Sequence, residues 1–439
     1  MLKEFKTKFN NLLLSLSDAI DIANPRIASH QMRTSFIAWK IAEKARLPED
    51  KIEKIYLAGL FHDIGAMSLE EKIQLHEGYE NINVDTHCII GESLFELSHI
   101  FRPAAKIIRY HHKPWKDWNE SISSPDVMES QIIYLSDIVE RLVRRDSYIL
   151  HQTERIRSEV MSLSGSEIHP DIIDLFINVS YQEDFWLDLI SPRLYSLLLH
   201  YGPFQGVEVG EKDIYSISLI FRHITDFKSR FTATHSTGVA ECATMLAKYL
   251  GFTDTEIAQL KIAGYFHDLG KLAVPNSILE KPGKLTKEEF DIIKQHTYFT
   301  YTVLSTIGGL DTIAEWAAFH HEKLDGTGYP FHVKADKISI GSRIMAVADI
   351  FTALAEDRPY RKGMKRNEIE EIMLFQVKSG KLDSRIVYIL LENFGEIIQE
   401  VKLKQEISKE FFDAKFAGIR KVENISYSTN KAYSIAAAI

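Results

Sequence analysis

Histidine and aspartate residues in the C-terminal half of this 439-residue chain have the types and the spacing of metal ligands. The set comprises His235, His267, Asp268, His296, His320, His321 and Asp349. Imidazole and carboxylate groups together suit divalent iron, manganese, zinc and nickel. Any one of these histidines could instead be a packed core residue, but enclosing the whole set without metal would be costly. Because the set is too large for one tetrahedral ion, it predicts two metal ions.

The N-terminal half repeats this set in the same order. The first three residues recur at a distance of 205 positions, the next three at 209 and the last at 212. The repeated residues are His30, His62, Asp63, His87, His111, His112 and Asp137. Since the offset changes only by small insertions, the two halves are predicted to be copies of one duplicated domain. The N-terminal copy could therefore hold further metal.

The elements that position these residues are predicted to be helices. Apolar residues and ligands recur at spacings of three and four. One such row is Ile257, Leu260, Gly264 and His267. Strand-like alternation is scarce, so the expected fold class is all-α, with tandem helical domains. The helix that carries His267 and Asp268 is predicted to begin at Thr253 or Asp254 and to end near Gly270. Adjacent helical residues point about 100° apart, so these two ligands could face different metals.

Length and glycine content predict two domains. At about 150 residues per domain the chain has room for two or three units. A polar, glycine-containing stretch from Tyr201 to Asp213 separates two long helical regions. The predicted divisions are an N-terminal domain at 1–200, a linker at 201–213, a C-terminal domain at 214–405 and an extension at 406–439.

Composition limits the location and the ligands of the chain. Cys88 and Cys242 are its only cysteines, and they form no CxxC motif, which favours a reducing cytoplasm over a disulfide framework or a thiolate zinc site. No stretch reaches the roughly 18 apolar residues of a membrane span, so membrane insertion is not expected. A net charge of -9 disfavours binding to a nucleic-acid polymer.

The motifs around the C-terminal ligands resemble those of the HD-GYP domain, a branch of the HD metal-dependent phosphohydrolase superfamily. The matching runs are THSTGVA at His235, YFHDLGKLAVPNSILEKPGKLT from Tyr265, QHTYFTYTVL at His296, FHHEKLDGTGYP from Phe319 and ADIFTALAEDRPYR from Ala348. Their order and spacing match from residue 230 to 365. A weaker resemblance to the HD core alone covers residues 25 to 145.

The resemblance implies a binuclear centre bridged by Asp268. One metal would also be bound by His235, His267 and Asp349, and the other by His296, His320 and His321. A water between the two metals would then attack a phosphodiester in line.

The resemblance also implies substrate contacts. Lys271 would stabilise the phosphate or protonate the leaving group, and Arg358 and Arg361 would contact the substrate. Gly326, Gly328, Tyr329 and Pro330 match the loop that names the family, where the tyrosine offers a stacking face. Taken singly, the lysine and arginines could be solvated surface residues, and the loop could be no more than a turn.

Two departures from the family pattern matter. Some members carry a carboxylate one helical turn before the first histidine for a third metal, but Phe231 stands there, which favours two metals. An aspartate that family members commonly have near the nucleotide base is replaced by Thr352, so the choice of base stays open.

The N-terminal half lacks the accessory residues. Ala66 replaces the lysine, and HHKPWKDWNE and SDIVERLVRRD replace the GYP loop and the EDRPYR run. This half is expected to be either a phosphohydrolase with another substrate or a domain used for regulation or dimerisation.

The sequence thus predicts a cytoplasmic signalling hydrolase that cleaves cyclic di-GMP or 3′,3′-cyclic GMP-AMP to the linear dinucleotide, with further cleavage to mononucleotides left open. Iron and manganese are the favoured metals. The alternatives are an HD phosphohydrolase that acts on another nucleotide, and a non-catalytic protein that senses the dinucleotide. Docking of diguanylate cyclase-type proteins to the GYP loop and formation of a homodimer are open partner predictions.

Overall fold

The structure is a computed structural model that describes residues 5–22, 28–66, 69–77, 84–228, 234–281, 283–357, 362–411 and 413. Helices dominate these residues, and the strands among them are β1 (Thr7–Lys8) and β2 (Glu208–Val209), which pair antiparallel. The predicted all-α class is confirmed. None of the helices in these ranges is long and apolar enough to cross a membrane.

The helices follow one another with short connections. Those of the N-terminal half are α1 (Phe9–Asp21), α2 (His30–Lys44), α3 (Glu49–Phe61), α4 (Leu69–Glu77), α5 (Val84–Phe95), α6 (Ala105–Tyr110), α7 (Val127–Leu142), α8 (Thr153–Ser162), α9 (Pro170–Ser180), α10 (Glu183–Leu189) and α11 (Leu194–Tyr201). Those of the C-terminal half are α12 (Glu211–Phe227), α13 (His235–Tyr249), α14 (Asp254–Phe266), α15 (Asn276–Leu279), α16 (Lys287–Ser305), α17 (Asp311–Ala318), α18 (Ile340–Ala355), α19 (Arg366–Lys378) and α20 (Ser384–Glu392), and residues 394–411 form a further helix. Short 3₁₀ helices span Arg102–Ala104, Trp115–Asp117, Ile149–His151, Leu269–Ala273, Phe319–His321 and Ala335–Lys337.

Capping side chains set the start of two helices that lead to the C-terminal ligands. Thr253 Oγ1 accepts a hydrogen bond from Glu256 N at 3.3 Å, and the Glu256 carboxylate accepts one from Thr253 N at 2.8 Å. Thr286 and Glu289 form the same reciprocal pair at the start of α16. Such pairs satisfy backbone donors that the first helical turn leaves open. The predicted start of α14 at Thr253 or Asp254 is confirmed.

A glycine in each half lets two helices cross closely. A Cβ built on Gly264 of α14 would lie 2.6 Å from Ala240 Cα of α13, and one on Gly59 of α3 would lie 2.6 Å from Ser35 Cα of α2. Any larger side chain would push each pair apart. The two crossings are equivalent in the repeat, so the duplication preserves the packing as well as the ligands.

The two halves pack on each other through equivalent helices. α1 packs on α2 and α3 and reaches across to α16, while α12 packs on α14 and reaches across to α5. Asn11 Nδ2 donates to the Thr306 carbonyl at 2.8 Å, and the hydroxyls of Ser98 and Ser216 lie 2.9 Å apart. Buried apolar side chains from both halves form one continuous core. Each half therefore buries its first helix partly against the other half.

Two predicted boundaries fall within ordered contacts. β2 lies in the predicted linker and pairs with β1 at the start of the chain. The helix at 394–411 continues past the predicted domain end at 405, and Gln405 Nε2 donates to the Thr234 carbonyl at 3.2 Å. The division of the chain at these positions stays a prediction.

Gly264→Ala should lower the melting temperature, because the new methyl group forces α13 and α14 apart and such overpacking costs about 1–3 kcal/mol. Gly395→Ala is the matched control, since nothing lies within 4 Å of a Cβ built there and alanine favours a helix by up to about 1 kcal/mol. Thermal unfolding followed by circular dichroism compares the two. A Gly264→Ala variant as stable as the parent protein would contradict the close crossing.

Candidate metal centres

The ligands of the C-terminal set converge from five helical segments. His235 begins α13, His296 lies in α16 and Asp349 lies in α18. His320 and His321 end the short 3₁₀ helix that follows α17. His267 and Asp268, the remaining two ligands, follow α14. The structure thus brings together all seven residues that the sequence singled out in this half.

The segment that carries Asp268 leaves the helix early. α14 ends at Phe266, four residues before the predicted end near Gly270, and a 3₁₀ helix continues from Leu269. A Cβ on Gly270 would lie 1.9 Å from the carbonyl oxygen of His296, so the chain runs directly against α16. The α-helix thus ends before the predicted position near Gly270, and the chain runs on against α16 as a 3₁₀ helix.

The carboxylate of Asp268 lies between two groups of histidines. Its Oδ2 atom is 3.2 Å from His267 Nε2, and its Oδ1 atom is 3.5 Å from His296 Nε2. Asp349 Oδ1 lies 3.1 Å from His235 Nε2, and Asp349 Oδ2 lies 3.7 Å from His321 Nδ1. A carboxylate whose two oxygens face different imidazoles can bridge two metal ions.

The imidazoles present ligand atoms at suitable distances. The Nδ1 atoms of His267, His296 and His320 donate to the carbonyls of Gly264, Ile293 and Ala317. Nε2 is thereby left as the acceptor, an arrangement that is common for metal-bound histidine. His296 Nε2 and His320 Nε2 are 3.3 Å apart, as expected for nitrogens that each lie about 2.0–2.1 Å from one ion. His267 Nε2 is buried without a hydrogen-bond partner, which fits a position for metal.

The electrostatics of the centre favour the metal-binding protonation state at Asp268, His296 and His320 but not at His235. Burial would raise the pKa of Asp268, but His267 and Lys271 hold it well below its usual range. Burial lowers the pKa of His296 to about 3 and keeps that of His320 well below its usual value. Burial would also lower the pKa of His235, but Glu356 and Asp349 raise it to about 10. Metal binding at His235 therefore has to displace a proton.

The accessory residues lie on the open side of this centre. Lys271 Nζ donates to Asp268 Oδ2 at 2.5 Å, and its side chain remains 21% exposed. The ring of Tyr329 lies 4.9 Å from that of His321, whose side chain is 30% exposed. A Cβ on Gly328 would lie 2.4 Å from Glu322 Cα, so this glycine is needed for the close approach of the loop. Pro330 follows Tyr329 in the same loop. Arg358, Arg361 and Phe231 lie outside the described residues.

The N-terminal set forms a second centre with the same plan. Asp63 Oδ2 lies 3.6 Å from His30 Nε2 and 3.4 Å from His62 Nε2, while Asp63 Oδ1 lies 3.4 Å from His87 Nε2. Asp137 Oδ1 is 3.5 Å from His30 Nε2. His111 and His112 complete the group around His87. The seven repeated residues are therefore brought together here as well.

The accessory residues of the two centres differ. Ala66 stands where the C-terminal half has Lys271, and it is buried. On the opposite aspartate, however, Arg141 Nη2 donates to Asp137 Oδ2 at 2.8 Å. α4 lies over this centre, since Arg141 also donates to the Leu75 carbonyl and the His76 ring lies 5.2 Å from that of His30. Among the described residues between its HD pair and α16, the C-terminal half has the 3₁₀ helix Leu269–Ala273 and the four-residue α15.

Sequence reasoning missed the carboxylates that hold the first histidine of each set. His30 Nδ1 donates to Glu140 Oε2 at 2.6 Å, and His235 Nδ1 donates to Glu356 Oε1 at 3.1 Å. No spacing signal could reveal this pair, because Glu140 follows its ligand aspartate by three residues and Glu356 follows Asp349 by seven.

Asp21 and Asp226 were also missed, although their spacing of 205 positions was readable in the sequence. Each accepts a hydrogen bond from the backbone of the residue after the first histidine, and burial raises the pKa of both to about 6. They orient the starts of α2 and α13. In the sequence, Cys88 indicated only a reducing environment. In the structure, its Sγ atom lies 3.7 Å from Nε2 of the candidate ligand His87.

Comparisons with known proteins agree with this duplicated architecture. HD domain models match residues 27–142 and 219–386. The chain is 32% identical over 406 residues, 90% of its length and 94% of the relative's, to 3′3′-cGAMP-specific phosphodiesterase 1 of Vibrio cholerae. It is 35% identical over 166 residues, 38% of its length and 40% of the relative's, to a cyclic di-GMP phosphodiesterase of Pseudomonas aeruginosa.

A solved structure shares the fold. The crystal structure of a cyclic GMP-AMP-specific phosphodiesterase of V. cholerae aligns with a TM-score of 0.61 and 22% identity, and the alignment covers 89% of this chain and 98% of that one. The predicted tandem of HD domains is confirmed. The chain belongs to the HD-GYP family of metal-dependent cyclic dinucleotide phosphodiesterases and carries an additional HD domain in its N-terminal half.

Proposed function

We propose that the C-terminal centre binds two divalent transition-metal ions and hydrolyses 3′,3′-cyclic GMP-AMP to its linear dinucleotide. The observation that carries this proposal is the Asp268 carboxylate, which lies between two histidine groups with Lys271 Nζ 2.5 Å from one of its oxygens. The name of the V. cholerae relative that matches 90% of the chain supports the mixed dinucleotide over cyclic di-GMP. Iron and manganese fit a mixed imidazole and carboxylate ligand set.

The residues around the centre have distinct roles in this proposal. The seven histidine and aspartate ligands would hold two divalent ions, which would make bound water a nucleophile near neutral pH and neutralise charge on the phosphate. Lys271 lies beside the bridging carboxylate and is partly exposed, so its ammonium group can turn to a phosphate oxygen or protonate the leaving oxygen. Tyr329 offers its ring to a base next to His321. Arg358 and Arg361 are proposed to hold the rest of the dinucleotide.

We further propose that the N-terminal centre binds metal without carrying the main cyclic dinucleotide activity. Its seven ligands have the same arrangement, and Asp63 Oδ1, His87 Nδ1 and His112 Nε2 are buried without hydrogen-bond partners. Leaving such atoms unpaired is costly unless a metal or another ligand meets them. Ala66 offers no charge to a phosphate, and α4 lies over this centre through the contacts of Leu75 with Arg141 and of His76 with His30. The cytoplasmic location, the homodimer and the docking of diguanylate cyclases to the GYP loop stay predictions.

Bound metal should raise the melting temperature of the protein, and elemental analysis should give the number of ions per chain. Titration with Mn²⁺ or Fe²⁺ should raise the melting temperature, because an ion at 100 times its Kd adds about 2.7 kcal/mol to the stability of the folded state. In the variant His62→Ala with Asp63→Ala, elemental analysis should find two ions per chain. Three ions in that variant would contradict the binuclear C-terminal centre.

Asp268→Ala and Lys271→Ala should separate metal binding from charge stabilisation. The first should lose both metal and turnover, since the bridge is gone. The second should keep its metals and lower kcat by about 10²–10³-fold, the range for loss of one group that stabilises the transition state. Lys294→Ala, which removes an exposed lysine paired with Asp291, is the control and should keep both. Loss of metal in Lys271→Ala would overturn its assigned role.

Paired substitutions in the two halves should locate the activity. His62→Ala with Asp63→Ala should lose N-terminal metal and keep most of the hydrolysis of 3′,3′-cyclic GMP-AMP. His267→Ala with Asp268→Ala should lose C-terminal metal and all hydrolysis. Elemental analysis and chromatography of the linear product measure both effects, and turnover that vanished only with the N-terminal pair would reverse the assignment.

A further inference from the structure

In each half, the glutamate that holds the first histidine is itself contacted by another polar side chain. In the N-terminal half this side chain is Arg33, whose Nη1 atom lies 3.5 Å from Glu140 Oε1. The Nη2 atom of Arg33 also donates to the Ala28 carbonyl, just before the first histidine. Arg33 follows His30 by three residues, so the two side chains lie on the same face of α2. A residue of the same helix therefore joins the glutamate to the backbone that precedes the histidine.

The C-terminal half makes the same connection with a residue from the far end of the chain. Gly238 stands where the N-terminal half has Arg33, so α13 offers no side chain for this contact. The amide of Gln405, in the last described helix, takes this place. Its Nε2 atom donates to the Thr234 carbonyl at 3.2 Å and lies 3.5 Å from Glu356 Oε2. A neutral amide thus meets the same two kinds of group that the guanidinium meets in the other half.

Gly238 and Thr352 leave the room that this amide occupies. A Cβ built on Gly238 would lie 2.6 Å from Gln405 Nε2 and 2.7 Å from Thr352 Cγ2. Thr352 is the residue equivalent to Glu140, since both follow the last ligand aspartate by three residues. Glu356 lies four residues further along the chain. Both the glutamate and its donor therefore come from new positions in the C-terminal half, and the contact between them is kept.

We propose that Gln405 is a positioning residue of the C-terminal centre, whose amide holds the Glu356 carboxylate on His235 and so strengthens binding of the metal ion at this histidine. A carboxylate on Nδ1 orients the ring and makes Nε2 a better ligand. Glu140 lies within α7, whereas Glu356 follows the end of α18, so the position of its carboxylate depends more on its contacts. An amide has two N–H donors and can meet a carbonyl and a carboxylate together. The inference rests on the C-terminal metal loading proposed above.

The test uses full-length protein in which His62→Ala with Asp63→Ala has removed N-terminal ligands, so that bound Mn²⁺ reports on the C-terminal centre. In this parent variant, Gln405→Met keeps a side chain of similar size and removes both donors. It should weaken the binding of one Mn²⁺ about tenfold, the lower end of the effect of residues behind a metal ligand. Electron paramagnetic resonance of free Mn²⁺ during titration measures this affinity. At equal Mn²⁺, kcat should fall and KM should not change, because Gln405 acts through Glu356.

The matched control is Ser408→Ala. Ser408 lies one turn further along the same helix, and its Oγ atom accepts a hydrogen bond from Thr237 Oγ1 of α13 at 3.3 Å. The substitution removes a contact between the same two helices but leaves the Gln405 amide in place. This variant should therefore bind Mn²⁺ like the parent variant.

Gly238→Ala reaches the Gln405 amide by another route. The new methyl group would lie 2.6 Å from Gln405 Nε2, and the flexible end of that side chain can move away. Binding of Mn²⁺ should then weaken as in Gln405→Met, although Gln405 is still present. Crystal structures of the two variants without metal should show the Glu356 carboxylate displaced from His235 Nδ1.

Unchanged manganese affinity in Gln405→Met would overturn the inference. An equal loss in Ser408→Ala would assign the effect to packing of the last helix and not to the amide. A parent variant that binds no Mn²⁺ would refute the C-terminal metal centre and this inference together. Absence of hydrolysis in a manganese-loaded parent variant would count against the proposed substrate alone, because the manganese affinities measure the positioning role without substrate.

Discussion

One carboxylate shared between two groups of histidines is the interaction on which each half of this protein depends. Asp268 and Asp63 each direct one oxygen to either group, and both follow directly after the end of a helix. The glycine two residues later lies against the backbone of the helix that carries the third histidine, and a Cβ there would be 1.9–2.0 Å from a carbonyl oxygen. This contact fixes the aspartate between groups that come from distant parts of the chain.

Burial makes that arrangement demanding. Apart from His112 and His321, the candidate ligands of both centres are almost wholly inaccessible to water, and some of their polar atoms lack hydrogen-bond partners. Such groups are costly to enclose unless opposite charge or a metal ion meets them. The same condition explains why Glu140 and Glu356 stand behind the first histidine of each set, since a carboxylate on Nδ1 orients the ring and strengthens Nε2 as a ligand.

Duplication has preserved the ligands and changed what surrounds them. The helix crossings at Gly59 and Gly264 and the reciprocal packing of α1 and α12 keep the two halves alike in their cores. The differences lie in the cation beside the aspartates and in the cover over each centre. The halves therefore share their histidine and aspartate sets and differ in the charged side chains and helices around those sets.

From repeat spacing and residue chemistry, the sequence predicts the helical class and the duplication and singles out fourteen candidate metal ligands, which the structure gathers into two groups of seven. It also indicated the start of α14, because a capping pair is formed within four residues. The end of α14 and the glutamate that contacts the first histidine of each set became visible only in the tertiary structure. The same holds for Arg141, which contacts Asp137, and for α4, which lies over the N-terminal centre. These features depend on contacts between segments far apart in the chain, and no periodicity or spacing records which segments will meet.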